Sequence, residues 1–140
     1  MGIDVCISRD ALTAILAEAV AAAPRECCGL LLSSDESGRI DACRRADNVA
    51  ASPARRFEID PRTLLMAHRT QRSGGPVVAG CYHSHPMGQP HPSVTDAAQA
   101  EGKGEIWLIC TSDGRHVTAW IARPGGSVHG MFDEAHLIVD

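Results

Sequence analysis

Apolar and polar residues alternate from Ile3 to Ile7, the period-two pattern of a half-buried strand. Ser8 then offers a hydroxyl N-cap to an Ala- and Leu-rich stretch, so a helix is predicted from Arg9 to Ala23, stopping before Pro24. Cys27 to Leu32 is a short unbroken apolar run, suited to a strand covered on both faces. The turn residues Ser34-Asp35-Glu36-Ser37-Gly38 follow, and Arg39 to Arg45 is expected to return as the hairpin partner. Phe57 to Ile59 reads as another short strand, and Pro61 opens a second helix reaching about Arg72.

Ser73-Gly74-Gly75-Pro76 breaks that helix, and Val77 to Tyr82 forms a strand leading into His83-Ser84-His85-Pro86. Three prolines and a glycine between Pro86 and Pro92 exclude regular structure there. Ser93-Val94-Thr95-Asp96 has capping-box spacing, which places the start of a short helix. Ile106 to Thr111 and His116 to Ala122 flank Asp113-Gly114, a strong hairpin signal. Gly125 to Asp140 has no clear period, only an apolar run at Leu137 to Val139. The order β-α-β-β-(β)-α-β-α-β-β implies one mixed α/β sheet with helices packed against it, in a single domain spanning residues 1–140.

Composition narrows the function classes. The chain has 140 residues, enough for a core without covalent staples. A formal charge of -4 argues against a nucleic-acid or anionic-membrane binder, although twelve of the thirteen basic residues are Arg and could form a local patch. No segment approaches the ~18 apolar residues of a membrane span. The six cysteines are scattered through mostly apolar runs and no secretion signal precedes them, so they read as reduced thiols of a cytoplasmic protein.

The chemistry concentrates at one place. His83 and His85 are two residues apart at a strand end, where i and i+2 share a face. Roughly 6.6 Å of strand separates them, so two rings leaning inward can share one ion at about 2.0–2.1 Å from each nitrogen. Asp96, in the first turn of the following helix, can add a carboxylate oxygen. Three N and O ligands leave a fourth position open, as in catalytic rather than structural zinc. Taken singly, the histidine pair reads as a polar loop, Asp96 as a capping carboxylate and Ser93 as an N-cap.

The joint pattern says more. Glu26 lies upstream, and His83-x-His85 is followed after seven residues by Ser93-x-x-Asp96. Together with Pro24-Arg25-Glu26-Cys27-Cys28-Gly29-Leu30-Leu31-Leu32 and Tyr82-His83-Ser84-His85-Pro86, this pattern resembles the JAMM (MPN+, or JAB1/MPN/Mov34) metallopeptidases, in the compact prokaryotic form. Ser33 and Cys81 depart from the residues most common in that family. The resemblance implies a partly barrel-like mixed sheet flanked by helices, of the cytidine deaminase-like type. It implies one Zn²⁺ on His83, His85 and Asp96, with Glu26 as the proton carrier and Ser93 as the oxyanion donor. It further implies hydrolysis of an amide after the C-terminal glycine of a ubiquitin-like or sulfur-carrier protein, and it raises the expectation of a homodimer. The competing account is a non-catalytic scaffold of the same fold; a nucleobase deaminase would need H-x-E and P-C-x-x-C, which are absent. Ser84 is expected on the opposite strand face, supporting the loop. His91 is expected in solvent, Cys81 and Cys28 in the core, and His68, His116, His129 and His136 in structural or surface positions.

Overall fold

The computed structural model describes residues 2–140. Seven strands form a single mixed sheet in the order β1-β7-β6-β5-β4-β2-β3. They are β1 (Ile3–Ile7), β2 (Cys28–Ser33), β3 (Ala42–Ala46), β4 (Val77–His85), β5 (Ile106–Thr111), β6 (Val117–Gly126) and β7 (Gly130–Val139), with helices α1 (Arg9–Ala22), α2 (Pro61–Arg72) and α3 (Val94–Gln99). The β1–β7 and β4–β5 pairs are parallel and the rest antiparallel. Ile7 forms a parallel bridge to Ile40, just ahead of β3, so the two edges of the sheet curl toward one another. The result is the partly barrel-like sheet expected.

Local chemistry explains the helix starts. The Ser8 hydroxyl accepts from the Ala11 amide, and Asp60 caps α2 with Pro61 in its first turn. Helix α1 lays Ala11, Ile15 and Ala19 onto one face of the sheet, against Val5, Ile7, Leu31, Tyr82, Leu108 and Cys110. Each fully buried Leu or Ile there contributes about 1.5–3 kcal/mol relative to exposure. The opposite face carries a second cluster of Cys28, Phe57, Trp107, Ile109, Trp120 and Phe132, partly covered by Ala97 of α3 and by Ala100, its C-cap. Close approach of β4 to β5 requires Gly80, since a Cβ at that position would lie 1.8 Å from the Ile106 carbonyl oxygen.

Three expectations need correction. Phe57 to Ile59 is not a strand; only Ile59 bridges, in isolation, to Asn48. The Asn48 side chain donates to the Glu26, Pro53 and Arg56 carbonyls and accepts from the Ala50 and Glu58 amides, and in doing so does the work a ladder would do. The ambiguous tail is strand β7, whose buried Phe132 and Ala135 are three residues apart and so break the period-two signal. The third is a boundary: β4 runs on through His85 rather than ending at Tyr82, and the same-face placement expected of the two rings holds. No described helix is long and apolar enough to cross a membrane.

Candidate metal centre

Alternation along β4 sends His83 and His85 to one face and Ser84 to the other. Helix α3 brings Asp96 to the same point. Nε2 of His83 and Nε2 of His85 are 3.1 Å apart, and each lies 3.2 Å from Asp96 Oδ2. His83 and Asp96 are buried, and the His85 side chain is 12% exposed, so the cluster meets solvent mainly at His85. Nδ1 of His85 donates to the Gln89 carbonyl at 2.9 Å, which leaves Nε2 of the neutral ring with its lone pair facing Asp96.

Electron-rich atoms therefore crowd together without enough protons to join them. A cation resolves that crowding. Bonds of about 2.0–2.1 Å to a tetrahedral ion put neighbouring ligand atoms about 3.3–3.4 Å apart, close to the 3.1–3.2 Å observed. The donor set thus fits zinc in size and in kind.

Neighbouring contacts fix each member. Ser93 Oγ accepts from the Asp96 amide at 3.0 Å, and the Ser93 amide donates to Asp96 Oδ2 at 2.9 Å, a closed capping box. The His83 ring stacks on Phe57 with centroids 4.3 Å apart, and Trp107 meets it edge-on. On the far face of β4, Ser84 Oγ accepts from the Cys27 amide at 2.8 Å. That bond ties the chain next to Glu26 down to the histidine strand. Ser84 lies on the face expected of it, and the segment its hydroxyl supports is the one leading into β2.

Glu26 is 5% exposed, and its Oε1 has no hydrogen-bond partner. Burial lifts its carboxyl to about 7, with His85 opposing and nearby Asp96 adding to the rise. The same residue lines a cavity of about 490 Å³ together with Glu18, Arg25, Arg45 and Asp47. Without a cation, burial would raise Asp96, but the Ser93 amide, and either histidine ring whenever its Nε2 carries a proton, outweigh burial and hold the carboxylate well below its usual range. Burial pushes His83 down despite Asp96, whereas for His85 the contacts to Asp96 and the Gln89 carbonyl outweigh burial and push it up.

His91 is exposed and touches Trp120 edge-on, away from the three convergent side chains. Cys28 is fully buried, while Cys81 is half-buried and lines a cavity of about 390 Å³ with Phe57 and Trp107. Among the residues that sequence reading passed over are Phe57, whose stacking is tertiary, and the Gln89 carbonyl, which no side-chain pattern announces.

The family profile for prokaryotic homologs of the JAB domain matches residues 8–123. The chain belongs to that family. It is 36% identical over 113 residues to Desampylase of Haloferax volcanii, an alignment covering 78% of this chain and 81% of that protein. A solved protein from Desulfitobacterium hafniense superposes with a TM-score of 0.79 at 26% identity, covering 97% of this chain and 92% of the other. A structure described as JAMM, a metalloprotease-like zinc site in the proteasome and signalosome, shares the fold at a TM-score of 0.57 and 22% identity, with 97% of each chain covered. In this JAB-type fold the convergent residues are the ones whose spacing carried the resemblance.

Proposed function

We propose that this chain is a zinc-dependent isopeptidase that hydrolyses the amide bond after the C-terminal glycine of a ubiquitin-like or sulfur-carrier protein. Residues 1–140 would act as one domain, in the cytoplasm, where thiols stay reduced. The observation that carries this reading is the 3.1–3.2 Å clustering of His83, His85 and Asp96 ligand atoms, together with a buried Glu26 whose Oε1 has no partner and whose carboxyl feels the charges of His85 and Asp96. The likeness to a protein named Desampylase supports an enzyme that cleaves a conjugate.

His83 and His85 through Nε2, and Asp96 through a carboxylate oxygen, would hold the ion. Bound zinc lowers the pKa of a coordinated water to about 7 and polarises a carbonyl oxygen. Glu26 takes the proton released as water attacks the scissile carbonyl carbon, then delivers it to the leaving amine nitrogen as the C–N bond breaks. A carboxyl near 7 suits both halves of that task, and such help is typically worth ~10²–10⁴ in rate. Ser93 Oγ accepts the Asp96 amide, so its own hydrogen remains free to donate to the developing oxyanion.

Metal analysis of the purified protein should give one zinc per chain, and His85→Ala should abolish it. Glu26→Gln should keep the metal and lose cleavage of a carrier fusion. Full turnover by Glu26→Gln would remove Glu26 from this role, and a metal-free wild type would overturn the zinc assignment.

A further inference from the structure

The segment carrying Ser93 and Asp96 is held from a distant part of the chain. His129 sits between β6 and β7, and it is the single non-glycine residue with positive φ among those described, at 51°. A side chain with a Cβ rarely adopts that left-handed conformation. Nε2 of His129 lies 3.0 Å from the Pro92 carbonyl oxygen, to which it donates. That carbonyl and the Ser93 amide belong to one planar peptide group. The amide in turn donates to Asp96 Oδ2 at 2.9 Å, the oxygen that meets both histidine nitrogens. A donor on the carbonyl side polarises the peptide and strengthens its N–H as a donor.

The hairpin does not need this side chain in order to turn. Gly126 pairs with Gly130, and Val128 and Phe132 exchange backbone hydrogen bonds of 2.9 and 3.0 Å. Two residues earlier in the loop, the Pro90 carbonyl is claimed by the Thr118 hydroxyl, which Trp120 Nε1 supports at 2.8 Å. The Pro92 carbonyl is left to His129.

We infer that His129 is a positioning residue for the metal centre, fixing the Asp96 carboxylate and the Ser93 hydroxyl through the Pro92–Ser93 peptide. The inference rests on the zinc reading above. Three proteins test it: wild type, His129→Gly and His129→Gln. Glycine suits the left-handed backbone and removes the donor; glutamine keeps an N–H donor of similar reach. Zinc affinity is measured by chelator competition, the melting point on the metal-free forms, and kcat and KM on a carrier fusion.

His129→Gly should leave the metal-free melting point unchanged or higher while weakening zinc by about 10-fold, within the range for outer contacts of metal ligands. It should lower kcat more than it changes KM, and His129→Gln should restore most of both losses. Wild-type zinc affinity in His129→Gly would overturn the inference while leaving the zinc reading intact. A drop in metal-free melting point that accounts for the zinc loss would reduce His129 to a fold-stabilising role and overturn it too. A wild type without zinc affinity would remove both.

Discussion

Replacing Ser84 with Ala should separate the stability of this fold from its chemistry in a measurable way. Ser84 is fully buried, and its hydroxyl is the acceptor for the Cys27 amide at 2.8 Å. Removing one oxygen opens little space, so the main cost is a buried N–H left without a partner, about 1–3 kcal/mol. For a chain of this length each kcal/mol lowers the melting point by roughly 3–4 °C, which sets the expected fall at about 3–12 °C. Because Glu26 directly precedes Cys27, the carboxyl also loses its registration against the histidine strand, and kcat should fall about 10-fold of the ~10²–10⁴ that positioned proton transfer supplies. Zinc content should stay unchanged, since both histidines remain on an intact β4. Thermal denaturation, metal analysis and steady-state cleavage of a carrier fusion provide the three readings. A Ser84→Ala protein that melts within a degree of wild type and turns over normally would refute the tether.

Two further outcomes follow from the site. The Glu26 carboxyl is raised to about 7 in the fold, above an ordinary value near 4.3. A raised acid stabilises the fold fully below that ordinary value and loses the contribution as pH climbs through 7. Metal-free wild type should therefore weaken between pH 5 and 8 in urea unfolding relative to Glu26→Gln, and parallel curves for the two would contradict the burial argument. Phe57, stacked on His83 at 4.3 Å, is 3% exposed; Phe57→Leu should cost about 1–2 kcal/mol in urea unfolding and weaken zinc in chelator competition by loosening the ring.

Much of the fold was legible because its boundaries are set by local chemistry. Ser8, Pro61 and Ser93 start their helices by capping or by fixing φ, and each acts within one turn of its own position. Pairing across the sheet is not local in this sense. The parallel docking of β1 on β7 joins the two ends of the chain, and no short pattern records it. Asn48 shows another limit, because one amide side chain serving five backbone groups holds the turn between Asn48 and Ile59, whose ends meet in a single bridge rather than a ladder. Composition alone suggested a strand where a side chain provides the order.

The ligand set was legible for a reason that reaches further than its spacing. In an extended strand the residue between two same-face histidines must point to the other face. Here that residue is Ser84, and the other face is where the Cys27 amide waits for an acceptor. The triplet His83-Ser84-His85 therefore aims two imidazoles at Asp96 with its odd members, and holds the neighbour of Glu26 with its middle one. A slip of one residue in the β2–β4 register would turn both rings into the α1 core and release the Glu26 segment together. The proton carrier and the ion ligands thus share a single geometric determinant, the pairing of Cys28 with His83, although they come from sequence positions far apart. What spacing could not announce is the support from outside that pair, Phe57 behind His83 and the carbonyl of Gln89 beneath His85, because those contacts exist only once the sheet has curled.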